Sequence, residues 1–119
     1  GDVKENHVHI LTESRAAGLL ELQRARIRWF LSLNYEDLPV PIKKSGKRTF
    51  RSLSIDGEEF EFSDGFTDLH TISYGQILAG QGYGLQDTRS SINIVYDIRN
   101  SKPKGLTGNY HPLLKKIST

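Results

Sequence analysis

The chain of 119 residues is 36% hydrophobic and 25% charged, with 16 basic and 14 acidic side chains giving a formal charge of +2. These totals predict one modest core with no strong polyanion signal, and no apolar run nears the roughly 20 residues of a membrane span. The absence of cysteine excludes disulfides, thiol catalysis and thiolate metal sites. With no signal segment visible, it makes the cytoplasm the expected location and neither nucleic acid nor membrane an expected partner.

His7 to Thr12 alternates as a half-buried strand, with Val8 and Ile10 on one face and His7, His9 and Leu11 on the other. After a polar loop over 13–17, Leu19 to Gln23 and Arg26 to Leu33 read as a hairpin. In its second arm Ile27, Trp29, Leu31 and Leu33 form the expected core face, opposite Arg26, Arg28, Phe30 and Ser32. The face bearing Arg26, Arg28, Phe30 and Glu21 mixes apolar and charged groups, which marks it as a candidate oligomer interface. Asn34 to Lys47 holds Pro39, Pro41 and Gly46 and reads as a loop. Its cluster Lys43, Lys44, Lys47 and Arg48 is either a solvated loop tip or an anion-binding patch.

Asp56-Gly57 sits between two strand-like runs, 48–55 and 58–62, and suits a type I′ hairpin, whose two central residues need positive φ. Phe60 and Phe62 are expected to cover a core. A helix capped by Thr67 or Asp64 should then run to about Ala79 and stop at Gly80, with Asp68 in its first turn. Phe66, Leu69, His70, Ser73, Tyr74, Ile77 and Leu78 share its packed side. Leu85 to Arg99 reads as a second helix buried on two flanks. The stretch 102–119 is a tail, partly ordered at most, in which Tyr110 to Leu114 can dock.

Three groups invite a chemical reading. His7 and His9 have the spacing of two metal ligands on a strand but lack a third, which favours surface or interface histidines. His70 and Tyr74 lie one helical turn apart, as either a pocket pair or a hydrogen-bonded histidine within a core. Gly80, Gly82 and Gly84 follow a helix rather than a strand, which favours a helix stop over a dinucleotide loop.

ESRAAGLLELQRARIRWFLSLNYEDLP, KRTFRSLSIDGEEFEFSDGFTDLHTISYGQILAGQGYGL and the final YDIRNS resemble the C-terminal region of the glucose-fructose oxidoreductase and inositol dehydrogenase superfamily. The likeness runs over most of residues 6–100 and is nearest to the members that oxidise the 3-hydroxyl of UDP-N-acetylglucosaminuronic acid. RIRWFLS and FTDLHTISYGQILAG are its most specific parts. The resemblance implies an α+β domain, residues 1–101, with a mostly antiparallel open sheet and two C-terminal helices. It would be the C-terminal domain of a Rossmann-type dehydrogenase, without the nucleotide-binding domain. It implies NAD and a UDP-sugar in the full-length protein, no cofactor in this stretch, and no catalytic residue carried onto it. It further implies a role in cell-surface polysaccharide synthesis, a sheet that shapes one side of the sugar-nucleotide site, and homo-oligomers built through that sheet; the helical spacing of His70 and Tyr74 makes them the candidate substrate-binding residues. The alternative is an independent α+β interaction module that assembles through its sheet.

Overall fold

The computed structural model describes residues 2–65 and 67–117. Three strands, β1 (Val3–Leu11), β2 (Arg15–Leu22) and β3 (Arg26–Ser32), form an antiparallel sheet in sequential order. Each neighbouring pair is joined by a two-residue turn. Glu13 and Ser14 link the first pair, where the Thr12 hydroxyl accepts from the Arg15 amide at 3.0 Å, and Leu22 N–H donates to the Ala25 carbonyl at 2.8 Å in the second. The expected loop over 13–17 thus shrinks to its first two residues, because Ala16 and Ala17 pair across to Leu11 and Ile10.

Pairing assigns the faces. Asn6, Leu20 and Ile27 share one with Val8, Gly18 and Trp29, while His7, Leu19 and Arg28 share the other with Ile10, Ala17 and Phe30. Strict alternation puts Val8 and Ile10 on the same face; the structure puts them on opposite faces. The cause is a break in register between Val8 and Ile10 that leaves His9 without a partner across the ladder, and such a bulge re-aims the side chain it carries.

Val8, Ala17, Leu19, Leu20 and Leu114 are the buried apolar side chains among the described residues. Ile27, Leu31 and Leu33, expected in the core, are exposed, Leu33 to 88%. From the Val8 face, the Asn6 amide donates to the Ile94 carbonyl at 3.3 Å. A 3₁₀ turn over Tyr35–Asp37 follows β3. There Asp37 accepts from Arg15 Nε at 2.6 Å and Nη2 at 2.8 Å, and from the Ser32 hydroxyl at 2.6 Å.

The expected loop after Asn34 contains a short helix, α1 (Val40–Lys44), with Pro41 in its first turn, where the missing N–H costs no bond. β4 (Ser52–Ile55) and β5 (Glu58–Glu61) form a separate hairpin. Asp56 at φ 50° and Gly57 at φ 89° give the positive-φ pair the sequence demands. Phe60 and Phe62, however, are exposed among the described residues.

α2 (Leu69–Leu78) begins later than expected. Asp68 occupies its N-cap position at φ 59° with no side-chain capping bond, while the Asp64 carboxylate lies 3.8 Å from Lys47 instead. Gly80, at φ 74°, donates to the Ile77 carbonyl and ends the helix as the sequence predicts. Phe66 lies outside the described residues. α3 (Leu85–Asn100) opens with the Gly84 amide donating to the Asp87 carboxylate at 2.7 Å, the return half of a capping box. Only its Ile94 and Ile98 flank is half-buried; Leu85, Ile92, Val95 and Tyr96 are exposed. α4 (Leu114–Ile117) is a single turn.

Gly1–Asp37 and Arg89–Thr119 form one compact unit and Leu38–Thr88 another. The architecture is α+β with antiparallel sheets, as expected. No helix is long and apolar enough to cross a membrane among the described residues.

Candidate functional site

The densest group of chemically capable side chains lies where residues 104–114 run along the three-stranded sheet. Lys104 and Gly105 amides donate to the Val8 and His9 carbonyls at 2.9 and 3.1 Å, covering part of the outer edge of β1. The bulge turns His9 into this seam. Its Nε2 lies 3.1 Å from the Thr107 carbonyl, and its ring meets Tyr110 edge-on at 6.1 Å between centroids. His9 Nδ1 is buried with no hydrogen-bond partner among the described residues. Because Nε2 faces a carbonyl, it carries a proton. Burial holds this imidazole below its ordinary value, and the charges of His7 and Lys104 act in the same direction, against the Thr107 carbonyl.

His7 lies beside it with a different role. Its Nε2 is 2.8 Å from the Glu5 carboxylate and its Nδ1 is 2.7 Å from Lys104 Nζ. The two histidines therefore do not converge, and no group of three or more metal-ligating side chains occurs among the described residues. On β3, Phe30 stacks on His111 at 5.8 Å with 28° between the rings, and Arg28 Nη1 is 3.5 Å from the Asn109 side chain. His111 Nδ1 accepts from the Leu113 amide at 3.2 Å. Its imidazole too is held low, first by burial and then by the Arg28 charge.

These contacts account for much of the face singled out as an oligomer interface. Glu21 and Arg26 pair with each other at 2.8 Å, which keeps the Glu21 carboxyl below the usual range, while Arg28 and Phe30 meet the chain's own tail. The sequence signal for this was present in Tyr110 and His111, aromatic residues beside a buried leucine in a stretch otherwise rich in glycine and lysine. Nothing local paired them with Phe30.

His70 and Tyr74 are both on α2 and both exposed, with no side-chain hydrogen bond between them among the described residues. The packed side expected for them is absent from the described chain. Leu69, Ile72, Ile77 and Leu78 are all exposed among the described residues, apolar surface of the kind that an assembled protein buries.

Lys47, Arg48, Thr49, Ser63 and Asp64 line a surface hollow of about 250 Å³. The Lys47–Asp64 contact of 3.8 Å there is an exposed, solvent-screened pair. As a cradle for NAD, the run Gly80, Gly82, Gly84 does not fit. It follows a helix, and a Cβ at Gly82 would lie 3.0 Å from the Ile77 side chain, so the glycines serve a tight connection.

No family model matches the chain. Solved structures do. The WlbA (WbpB) dehydrogenase from Thermus thermophilus in complex with NAD and alpha-ketoglutarate superposes with a TM-score of 0.88 at 44% identity, over 94% of this chain and 37% of that one. The same dehydrogenase in complex with NAD and UDP-GlcNAcA gives a TM-score of 0.88 at 42% identity, over 94% of this chain and 36% of that one. The chain thus spans little more than a third of the length of these relatives.

Proposed function

We propose that this chain, a homologue of the C-terminal part of the WlbA dehydrogenases, is the substrate-side and assembly domain of an NAD-dependent sugar-nucleotide dehydrogenase. The observation that carries the reading is the 42% identity, at a TM-score of 0.88, to a dehydrogenase held with NAD and UDP-GlcNAcA. The reaction class is oxidation of the 3-hydroxyl of a UDP-N-acetylhexosaminuronic acid, for cell-surface polysaccharide synthesis in the cytoplasm. The glycine run after α2 does not fit NAD, which supports assigning the cofactor to the part of such an enzyme that lies beyond the matched third.

The exposed apolar surface supports this division of labour. Leu69, Ile72, Tyr74, Ile77 and Leu78 on α2 are uncovered, and leaving that much apolar surface in water is unfavourable at roughly 25 cal/mol per Å². A cofactor domain seated on α2 would bury it and bring a sugar nucleotide beside His70 and Tyr74. Homo-oligomer contact falls to Ile27 and Leu31 on β3 and Leu33 just past its end, because Arg28 and Phe30 are engaged by the tail.

The test is a binding and turnover assay on the full-length polypeptide that carries this chain. UDP-GlcNAcA should bind in the presence of NAD and drive NADH formation, with alpha-ketoglutarate included because the relative binds it beside NAD. A full-length protein that binds NAD but no UDP-uronic acid would overturn the substrate assignment, and one that binds neither would overturn the oxidoreductase reading.

A further inference from the structure

We propose that residues 104–117 are a proton-released latch, which covers the β1 edge and one face of the three-stranded sheet while His9 and His111 are neutral and lifts away when they are protonated. Three of the chain's four histidines, His7, His9 and His111, lie in this one seam. Both seam histidines are seated in a way that disfavours the charged ring. His9 has one nitrogen on the Thr107 carbonyl and the other buried without an acceptor, at 4% residue exposure. His111 uses Nδ1 to accept from the Leu113 amide, and a proton there would replace that bond with a donor facing a donor.

The charges around them reinforce this. Toward His9 stand His7 from β1 and Lys104 from the tail, with Tyr110 edge-on. Toward His111 stands Arg28 from β3. The carboxylates of the region are already engaged, Glu5 by His7 and Glu21 by Arg26. A positive charge on either ring therefore meets cations and desolvation rather than a free anion.

The sign follows from linkage. Both histidines titrate lower in the docked segment than the ordinary 6.5, so the released segment binds protons more readily. Docking is fully favoured above about pH 6.5 and weakens as pH falls through that value toward the docked ones. Release frees Arg28 from Asn109 and uncovers Phe30 and the outer edge of β1, an unpaired strand edge.

Hydrogen exchange on the full-length polypeptide, corrected for the pH dependence of the chemical step, reads this directly. Between about pH 7.5 and about pH 5.5 the opening constant of residues 104–113 should rise several-fold, bounded at roughly tenfold per histidine, while residues 15–32 keep theirs. His9→Gln with His111→Phe retains a donor for Thr107 and a ring for Phe30, and should abolish that pH response. An unchanged opening constant in the native protein would overturn the latch, as would an equal response in the double variant or opening of residues 15–32 in step with the tail. If the double variant does not fold, NMR titration of the two native rings decides. Midpoints below about 6.5 support the latch, and midpoints at or above it overturn it.

Discussion

Gly18 on β2 faces Trp29 on β3 across a directly paired register, and a methyl group at position 18 would lie 2.6 Å from the indole Cζ2 and closer still to the His7 carbonyl oxygen. The space is closed on two sides, one of them backbone that cannot rotate away. Gly18→Ala should therefore destabilise the sheet by about 1–3 kcal/mol, the usual range for overpacking. Denaturant unfolding checks this, and an unchanged midpoint would show that the sheet can open at Trp29 without cost.

Gly57 poses the opposite case, with no atom within 4 Å of an added Cβ and a φ of 89°. Here only conformation is at stake. Gly57→Val should cost the β4–β5 turn about 1–2 kcal/mol, seen as roughly a tenfold rise in exchange at the Ser52–Glu61 amides. Unaltered exchange would refute the positive-φ requirement.

Two ion pairs on the same sheet should respond differently to neutralisation. Asp37, its side chain 8% exposed, receives both Arg15 donors and the Ser32 hydroxyl, whereas Arg26 opposite Glu21 is 57% exposed. Asp37→Asn should lower the unfolding midpoint clearly, because it takes the charged acceptor from three part-buried donor contacts, while Glu21→Gln leaves it essentially in place. Equal effects would mean that burial does not separate them.

The side chains of His70 and Tyr74 make no hydrogen bond among the described residues and are exposed. Replacing them should leave the chain's stability unchanged. Under the proposed function, His70→Ala and Tyr74→Phe in the full-length polypeptide should each weaken UDP-GlcNAcA binding, by about tenfold for a lost hydrogen bond. Calorimetry with intact affinity in both variants would remove them from the sugar-nucleotide site.

Local chemistry was readable wherever the decisive interaction lies within a few residues. Asp56-Gly57 specified its turn, Gly80 its helix end, and the alternation of RIRWFLS its strand. The β1 bulge was not readable, because a single unpaired residue, His9, reverses the faces of Ile10 and Leu11 and leaves no mark on the pattern of apolar residues. Periodicity also named Leu31, Leu33, Phe60 and Leu78 as packed, yet all are exposed. Their apolar character records a surface meant to be covered, and periodicity reports that need without identifying what covers it.

By itself the sequence determined the α+β class, the hairpin turn and the kinship with dehydrogenase C-terminal regions, since these rest on backbone preferences and on residue identities that stand side by side. Only the tertiary structure decided that the tail belongs to the sheet. Lys104 with Val8, Thr107 with His9, and His111 with Phe30 are each separated by more than eighty positions, and such contacts depend on a bulge and a chain path that no local pattern encodes.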